Sequence, residues 1–160
     1  MSPKRQARTI EFMPPDKGAV ADALATARAA GSGWVNLLPG IPENSVPDTP
    51  TGLFAFFGTR AQPVTMATIM PPKKDRGASM GFSVGLMHPT GAKAVARLTS
   101  VGVPLPEGWI VRQDHPRRGI VLETPVDAAE ADVIAWCISA GTALCRAEMT
   151  GEWRAVVYEP

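Results

Sequence analysis

The sequence predicts an α+β protein in which helices pack on an antiparallel sheet and the C-terminal half is ferredoxin-like. Residues 80–160 alternate β-prone and helical segments in the order βαββαβ, which is the split βαβ pattern of ferredoxin-like folds. The N-terminal half begins with a strand, a helix and a strand, and continues after a proline-rich segment with two more β-prone runs. We therefore interpret it as a βα-plus-strands elaboration of the fold.

In the N-terminal half, the alanine-rich residues 17–31 form the predicted helix. Val20, Ala23, Leu24 and Ala27 recur at helical spacing, Asp16 is expected to cap the start, and a glycine at 31 is expected to end it. Strands are predicted for residues 9–13, 33–38, 53–57 and 64–70. Residues 39–52 contain four prolines and two glycines, which predicts an irregular loop.

The C-terminal half begins with a predicted strand at residues 80–88 and a helix at residues 89–102, with Ala92, Val95 and Leu98 facing inward. Two strands follow at residues 108–113 and 119–124. Asp127 and Glu130 have the spacing of a capping box for the next helix, which is predicted to continue to about Cys145. The buried residues predicted for it are Val133, Trp136, Cys137, Ala140 and Leu144. Residues 152–159 form the last predicted strand.

We divide the chain into a basic tail at residues 1–8, a βα/β-hairpin subdomain at residues 9–76, and the ferredoxin-like subdomain at residues 77–160. The polar segment 71–79 marks the boundary. Gly33-Trp34-Val35 follows the first helix much as Gly108-Trp109-Ile110 follows the second. The two halves are therefore candidates for a degenerate duplication, although strand-to-helix corners of this composition are common in unrelated folds.

Composition excludes some classes of protein. The 16 Lys and Arg residues nearly balance the 15 Asp and Glu residues, so net charge does not favour nucleic acid or acidic membranes. No apolar run is long enough to cross a membrane, and residues 1–12 lack an apolar signal core. The only two cysteines, Cys137 and Cys145, lie too far apart on one helix to form a disulfide. We expect a cytoplasmic protein with reduced, buried thiols, and the Ala, Gly, Pro and Arg content suggests a bacterial source.

The most charged segment is RQDHPRRG at residues 112–119. Asp114 beside His115 could form a general-base pair, but neighbouring strand residues point to opposite faces and no nucleophile is placed nearby. The segment joins two predicted strands and contains a proline and Gly119, so we favour a hairpin loop.

A second histidine, His88, also precedes a proline at the end of a strand. Thr90 and Lys93 follow at a helix start, where backbone N–H groups attract anions. His88, Thr90 and Lys93, with His115, are the candidate residues for a small-anion-binding enzyme. We predict no metal site, because the histidines and cysteines lack the spacing of zinc ligands, and no cofactor, because no glycine-rich phosphate loop is present.

Basic loops offer a third possibility, a nucleic-acid interface. Its candidate residues are Lys73, Lys74, Arg76, Arg112, Arg117 and Arg118, with a further basic cluster at Lys4, Arg5 and Arg8. RNA-binding sheets of this topology expose aromatic rings on central strands, whereas Phe82 lies in a pattern that equally suits the core. The aromatic pattern therefore argues against this function.

No complete catalytic motif is present, so the favoured function is a binding or regulatory module that acts through protein–protein contacts. A homodimer formed through an exposed sheet face or edge is one form of this hypothesis. The nucleic-acid-associated protein and the small-anion-binding enzyme remain the alternatives, and an enzyme is the less favoured class.

Overall fold

The computed structural model describes residues 6–43, 63–73 and 80–160. In chain order, the strands and helices are β1 (Ala7–Phe12), a 3-10 turn (Pro14–Asp16), α1 (Gly18–Ala30), β2 (Trp34–Pro39), β3 (Met66–Met70), β4 (Ser83–Met87), α2 (Ala94–Ser100), β5 (Ile110–His115), β6 (Gly119–Glu123), α3 (Glu130–Leu144) and β7 (Trp153–Tyr158). The predicted strand at residues 53–57 and most of the loop at residues 39–52 lie outside the described residues. No helix among the described residues has the length and apolar character needed to cross a membrane.

All seven strands form one antiparallel sheet in the order β1-β7-β2-β3-β4-β6-β5. The side chains of one sheet face are buried in register across neighbouring strands, as in the row Leu37, Ala67, Leu86 and Ile120. Helix α3 packs on β2 and β3 and contacts both other helices. The core therefore lies between the three helices and this face, which confirms an α+β fold.

The ferredoxin-like order is not confirmed. It would place β7 directly beside β4, to give the order β7-β4-β6-β5. The structure keeps β4, β6 and β5 adjacent, but β2 and β3 lie between β7 and β4. The reason is that β7 pairs along six residues with β1 on one side and along six with β2 on the other. Strands from both predicted subdomains thus share one sheet.

Two split βαβ units are visible in this sheet. Strands β1 and β2, joined by α1, flank β7, and strands β4 and β5, joined by α2, flank β6. In the second unit the middle strand is β6, which forms a hairpin with β5. In the first unit the middle strand is β7, which comes from the other end of the chain. The duplication and the subdomain boundary therefore stay predictions, with the two halves interlocked through β7.

The buried faces of α1 and α3 match the sequence prediction. Val20, Ala23, Leu24 and Ala27 are buried in α1, as are all five predicted residues of α3. Helix α1 ends at Gly31, whose φ of 69° is left-handed and whose N–H bonds to the carbonyl of Ala27.

The predicted side-chain caps of α1 and α3 were wrong. Asp16 lies in the 3-10 turn, where its own N–H bonds to the Met13 carbonyl, and α1 begins without a side-chain cap. Asp127 does not cap α3, because Ala128 N–H closes a turn on the Pro125 carbonyl and the helix starts only at Glu130. These local turns use backbone bonds where the sequence suggested side-chain caps.

Helix α2 is also shorter than predicted, since Gly91 and Lys93 have left-handed φ angles of 79° and 59° and keep residues 88–93 out of the helix. Ala92 is consequently exposed, while Ala94 and Leu98 are buried.

Candidate functional site

Several predicted site residues meet at one end of the sheet. Strand β4 ends there, the loop of residues 88–93 leads into α2, and the β5–β6 hairpin closes beside them. The hairpin lies tightly against β4, because a Cβ on Gly119 would stand only 2.4 Å from the carbonyl oxygen of Leu86. We call the group of His88, Thr90, Arg97 and Asp114 the His88 cluster.

His88 is the buried member of the cluster, with only 9% of its surface exposed. Its Nδ1 lies 3.3 Å from the backbone nitrogen of Thr90 and 3.0 Å from the Thr90 hydroxyl. Since Nδ1 accepts the Thr90 N–H bond, the proton of the neutral ring is on Nε2. The Nε2 atom is buried and has no hydrogen-bond partner among the described residues.

The electrostatic environment of His88 favours the neutral ring. Burial lowers the pKa of His88 below its ordinary value of 6.5, because a charged imidazolium is poorly solvated there. The Asp114 carboxylate acts in the opposite direction, and the Arg97 guanidinium adds to the lowering of this pKa. The net result is a buried histidine that is neutral at pH 7.

Asp114 connects the edge strand to the start of α2. Its carboxylate accepts the backbone N–H groups of Ala94 at 3.2 Å and Val95 at 3.1 Å. These are two of the four N-terminal N–H groups that a helix cannot bond internally. Helix α2 has no cap from its own N-cap residue, Lys93, so a carboxylate 20 residues further along the chain supplies it.

Arg97 closes the same loop from the helix side. Its guanidinium donates to the carbonyl of Thr90 at 2.8 Å and to that of Ala92 at 3.2 Å. An anion bound at the α2 start would have to displace the Asp114 carboxylate, which already bonds Ala94 and Val95. The contacts in this region are thus those of an internally satisfied loop, apart from Nε2 of His88.

His115 is not part of the His88 cluster. Its Nδ1 accepts the backbone N–H groups of Arg117 and Arg118, each at 3.1 Å, within the three-residue turn between β5 and β6. In register Asp114 lies opposite Ile120 and His115 opposite Gly119, so the two side chains point to opposite faces of the sheet. The prediction of a hairpin for residues 112–119 is confirmed.

The predicted basic residues do not gather at one place. Lys73 follows Met70, which pairs with Ser83 at the start of β4, whereas Arg117 and Arg118 lie in the hairpin turn at the opposite end of the sheet. Five strand residues span about 16 Å, so Lys73 is well separated from these two arginines. Arg8 pairs with Glu159 at 2.7 Å, while Lys4, Arg5, Lys74 and Arg76 lie outside the described residues.

The aromatic side chain considered for RNA binding is not on the surface. Phe82 is fully buried, with the guanidinium carbon of Arg28 4.1 Å from its ring centroid. The nucleic-acid interface stays a prediction that these positions do not favour.

Strand β5 forms one edge of the sheet and carries exposed apolar side chains. Ile110 is 47% exposed and Val111 is 41% exposed. Arg112 is the extra residue of a β-bulge, since Val111 pairs with Leu122 and Gln113 with Val121, and its guanidinium bonds Glu123 at 2.9 Å.

A separate open groove of about 340 Å³ lies at the other edge of the sheet, where it is lined by residues of β1 and the start of α1, with Glu152. None of the predicted site residues lines it. Among residues 6–43, 63–73 and 80–160, no three His, Cys, Asp or Glu side chains are grouped as a metal site would require.

Comparison of the chain with protein-family models, curated proteins and solved structures produced no match.

Proposed function

We propose that this protein is a binding module that accepts an extended segment of a protein partner as an added strand beside β5. The single observation that carries the proposal is the pair of exposed β-branched side chains, Ile110 and Val111, on a strand at the edge of the sheet. The outer backbone groups of β5 have no strand partner among the described residues, so they are available to another chain.

The two edges of the sheet differ in the way that this function requires. Strand β1 exposes Arg8, Thr9 and Glu11, and such polar and charged side chains are the usual protection of an edge against pairing. The carboxylate and the guanidinium on strand β5 both have partners: Arg112 pairs with Glu123, and Asp114 bonds the start of α2. A partner strand would therefore bury more apolar surface at β5 than at β1.

The apolar surface continues beside the start of β5. A Cβ on Gly108 would lie 3.0 Å from Cγ of Pro125, so the segment before α3 packs against the segment before β5. Val126, the next residue, is 51% exposed. Val126 therefore adds an exposed apolar side chain to the segment that packs against the start of β5.

A second copy of this chain is the simplest source of the strand, because an antiparallel β5–β5 pair would satisfy both edges with one symmetry operation.

We also propose a cytoplasmic setting, which is supported by the free thiols of Cys137 and Cys145. The ferredoxin-like relationship is likewise kept as a proposal, supported by the adjacent strands β4, β6 and β5.

Sedimentation velocity over a range of concentrations tests the proposal. The wild-type chain is expected to self-associate, Val111→Lys to reduce this by at least tenfold, and Thr9→Lys on the β1 edge to leave it unchanged. A fluorescent peptide with the sequence of residues 108–115 provides the second measurement, since it should bind wild type and Thr9→Lys more tightly than Val111→Lys. The proposal fails if the wild type neither self-associates nor binds the peptide, or if both variants behave alike.

A further inference from the structure

His88 has a geometry that an uncharged ring satisfies better than a charged one. In the neutral ring, Nδ1 accepts the Thr90 N–H bond and so fixes the turn at residues 88–90. A protonated ring carries a hydrogen on Nδ1 and cannot accept that bond, which leaves only the Thr90 hydroxyl, 3.0 Å away, as an acceptor. The second N–H, on Nε2, is buried and has no acceptor among the described residues.

The charged groups around His88 come from two neighbouring elements. Asp114 reaches it from β5 and Arg97 from α2, and the two have opposite effects on a charged imidazolium. Lys93 in the connecting loop, with His115, Arg117 and Arg118 in the hairpin, are further titratable or basic groups on the elements that carry the cluster. Asp114 is therefore the carboxylate to which a cationic His88 would be drawn.

Each oxygen of Asp114 can accept a second hydrogen bond, but movement of the carboxylate toward a charged His88 ring would strain the bonds that it already makes. Its two oxygens are already used by the N–H groups of Ala94 and Val95, at 3.2 and 3.1 Å. Attraction to a protonated His88 would weaken these bonds, which are the only side-chain cap described for α2. Because α2 has just seven residues, the loss of its cap affects much of the helix.

We propose that protonation of His88 opens the loop of residues 88–93 and the start of α2. The opening would weaken the contact through which Asp114, on the edge strand β5, is bonded to α2. The opened segment exposes the ring to water, where the imidazolium is solvated. This regulation rests on the proposed function in one respect, since it becomes control of binding only if β5 is the binding edge. The opening itself is independent of any partner.

Hydrogen exchange followed by NMR tests the opening directly. The protection factors of the amides of Ala94 and Val95, corrected for the intrinsic pH dependence of exchange, are compared between about pH 7.5 and about pH 5. We expect protection to fall by as much as about tenfold per pH unit once the pH is below the ordinary histidine pKa, since the open state then binds a proton that the closed state rejects. Titration of the His88 ring resonances in the wild type requires no variant and should show a midpoint below the ordinary histidine pKa of 6.5.

Two matched variants identify the responsible histidine. His88→Asn keeps an acceptor for the Thr90 N–H but does not titrate, so the pH dependence of protection at Ala94 and Val95 should disappear. His115→Asn keeps an acceptor for the hairpin amides and should leave that dependence as it is in the wild type. The proposal is overturned if protection at Ala94 and Val95 does not change with pH, or if it changes equally in His88→Asn.

Binding of the peptide of residues 108–115 at pH 7.5 and pH 5 separates the two proposals. Loss of protection without any peptide binding at either pH would retain the opening and reject the binding function of β5. If the peptide binds equally well at both pH values while protection is lost, the opening and the binding function of β5 are both retained. The coupling between them is then rejected.

Discussion

The carboxylate of Asp114 accepts a hydrogen bond from the backbone N–H of Ala94 at 3.2 Å, and this contact joins the edge strand β5 to the first residue of α2. The same carboxylate takes the next N–H, that of Val95, with its other oxygen. A short helix that lacks a cap from its own sequence is thus held by a residue from a strand two positions away from β4 in the sheet.

Replacement of Asp114 should therefore destabilise the protein through α2. We expect Asp114→Ala to lower the free energy of unfolding by about 1–2 kcal/mol, the usual cost of losing a side-chain cap. Urea denaturation at neutral pH measures the effect. Asp132→Ala is the matched control, because Asp132 is an exposed carboxylate in the first turn of α3 with no capping bond, and it should cost no more than about 0.5 kcal/mol. Equal losses in both variants would show that the cap contributes nothing specific.

His88 should make stability depend on pH in the acid range. Its pKa is lowered in the folded protein, so below the ordinary value of 6.5 the unfolded chain binds a proton that the folded chain does not. The contribution of neutral His88 is complete above that pH and is lost as the pH falls from there through the lowered pKa. The slope from this one group is at most about 1.4 kcal/mol per pH unit.

Urea denaturation of wild type and His88→Asn from about pH 8 to about pH 5 gives the measurement. The difference in slope between the two proteins isolates His88 from the carboxylates, which titrate in both. A wild type and variant with parallel pH profiles would contradict the assignment.

Gly119 should tolerate substitution less well than Gly91, which has almost the same φ angle. Gly119 and Gly91 have φ angles of 80° and 79°, but only Gly119 lies against another strand, where a Cβ would be 2.4 Å from the Leu86 carbonyl oxygen. Gly91→Ala is expected to cost about 1 kcal/mol from backbone strain alone. Gly119→Ala should cost at least about 2 kcal/mol, since a clash with backbone is added to the strain. Thermal and urea denaturation of both variants decide the order.

The two cysteines should differ in reactivity. Burial raises the pKa of the Cys137 thiol to about 12, so almost none of it is thiolate at pH 8. Cys145 follows the end of α3 and is only partly buried, with its sulfur 3.6 Å from the carbonyl of Pro63. A thiol reagent such as DTNB should label Cys145 in the folded protein and Cys137 only after denaturation. Rapid labelling of both thiols in the native wild type, and of Cys137 in native Cys145→Ser, would show that the core around Cys137 opens readily.

The helices show how much of the fold was predictable. The spacing of Val20 and Leu24 in α1, and of Val133 and Trp136 in α3, reports which side of each helix is apolar, and these residues are buried as predicted. Helix starts were predicted less well, because Asp16 and Asp127 were assigned caps that backbone turns made unnecessary. A capping residue in the sequence shows only that a bond is available.

For the candidate site, less could be predicted from the sequence than for the helices. The sequence identified His88 and Thr90, but the carboxylate that completes the cluster, Asp114, was considered only as a neighbour of His115. Its actual partners, Ala94 and Val95, are 20 and 19 residues away in the chain, and no local pattern signals such hydrogen bonds. Arg97 was missed for the same reason, since its contacts depend on the left-handed turn before α2.

Local patterns of hydrophobicity, glycine and proline thus determined the types of the elements, the buried faces of α1 and α3 and the hairpin at residues 112–119, because these depend on residues that are close in the chain. Tertiary structure alone decided that β7 lies between β1 and β2 and that Asp114 caps α2. Backbone N–H and C=O groups are the same in every strand and helix start, so their choice of partner follows from the packing of the whole chain rather than from the residues that carry them.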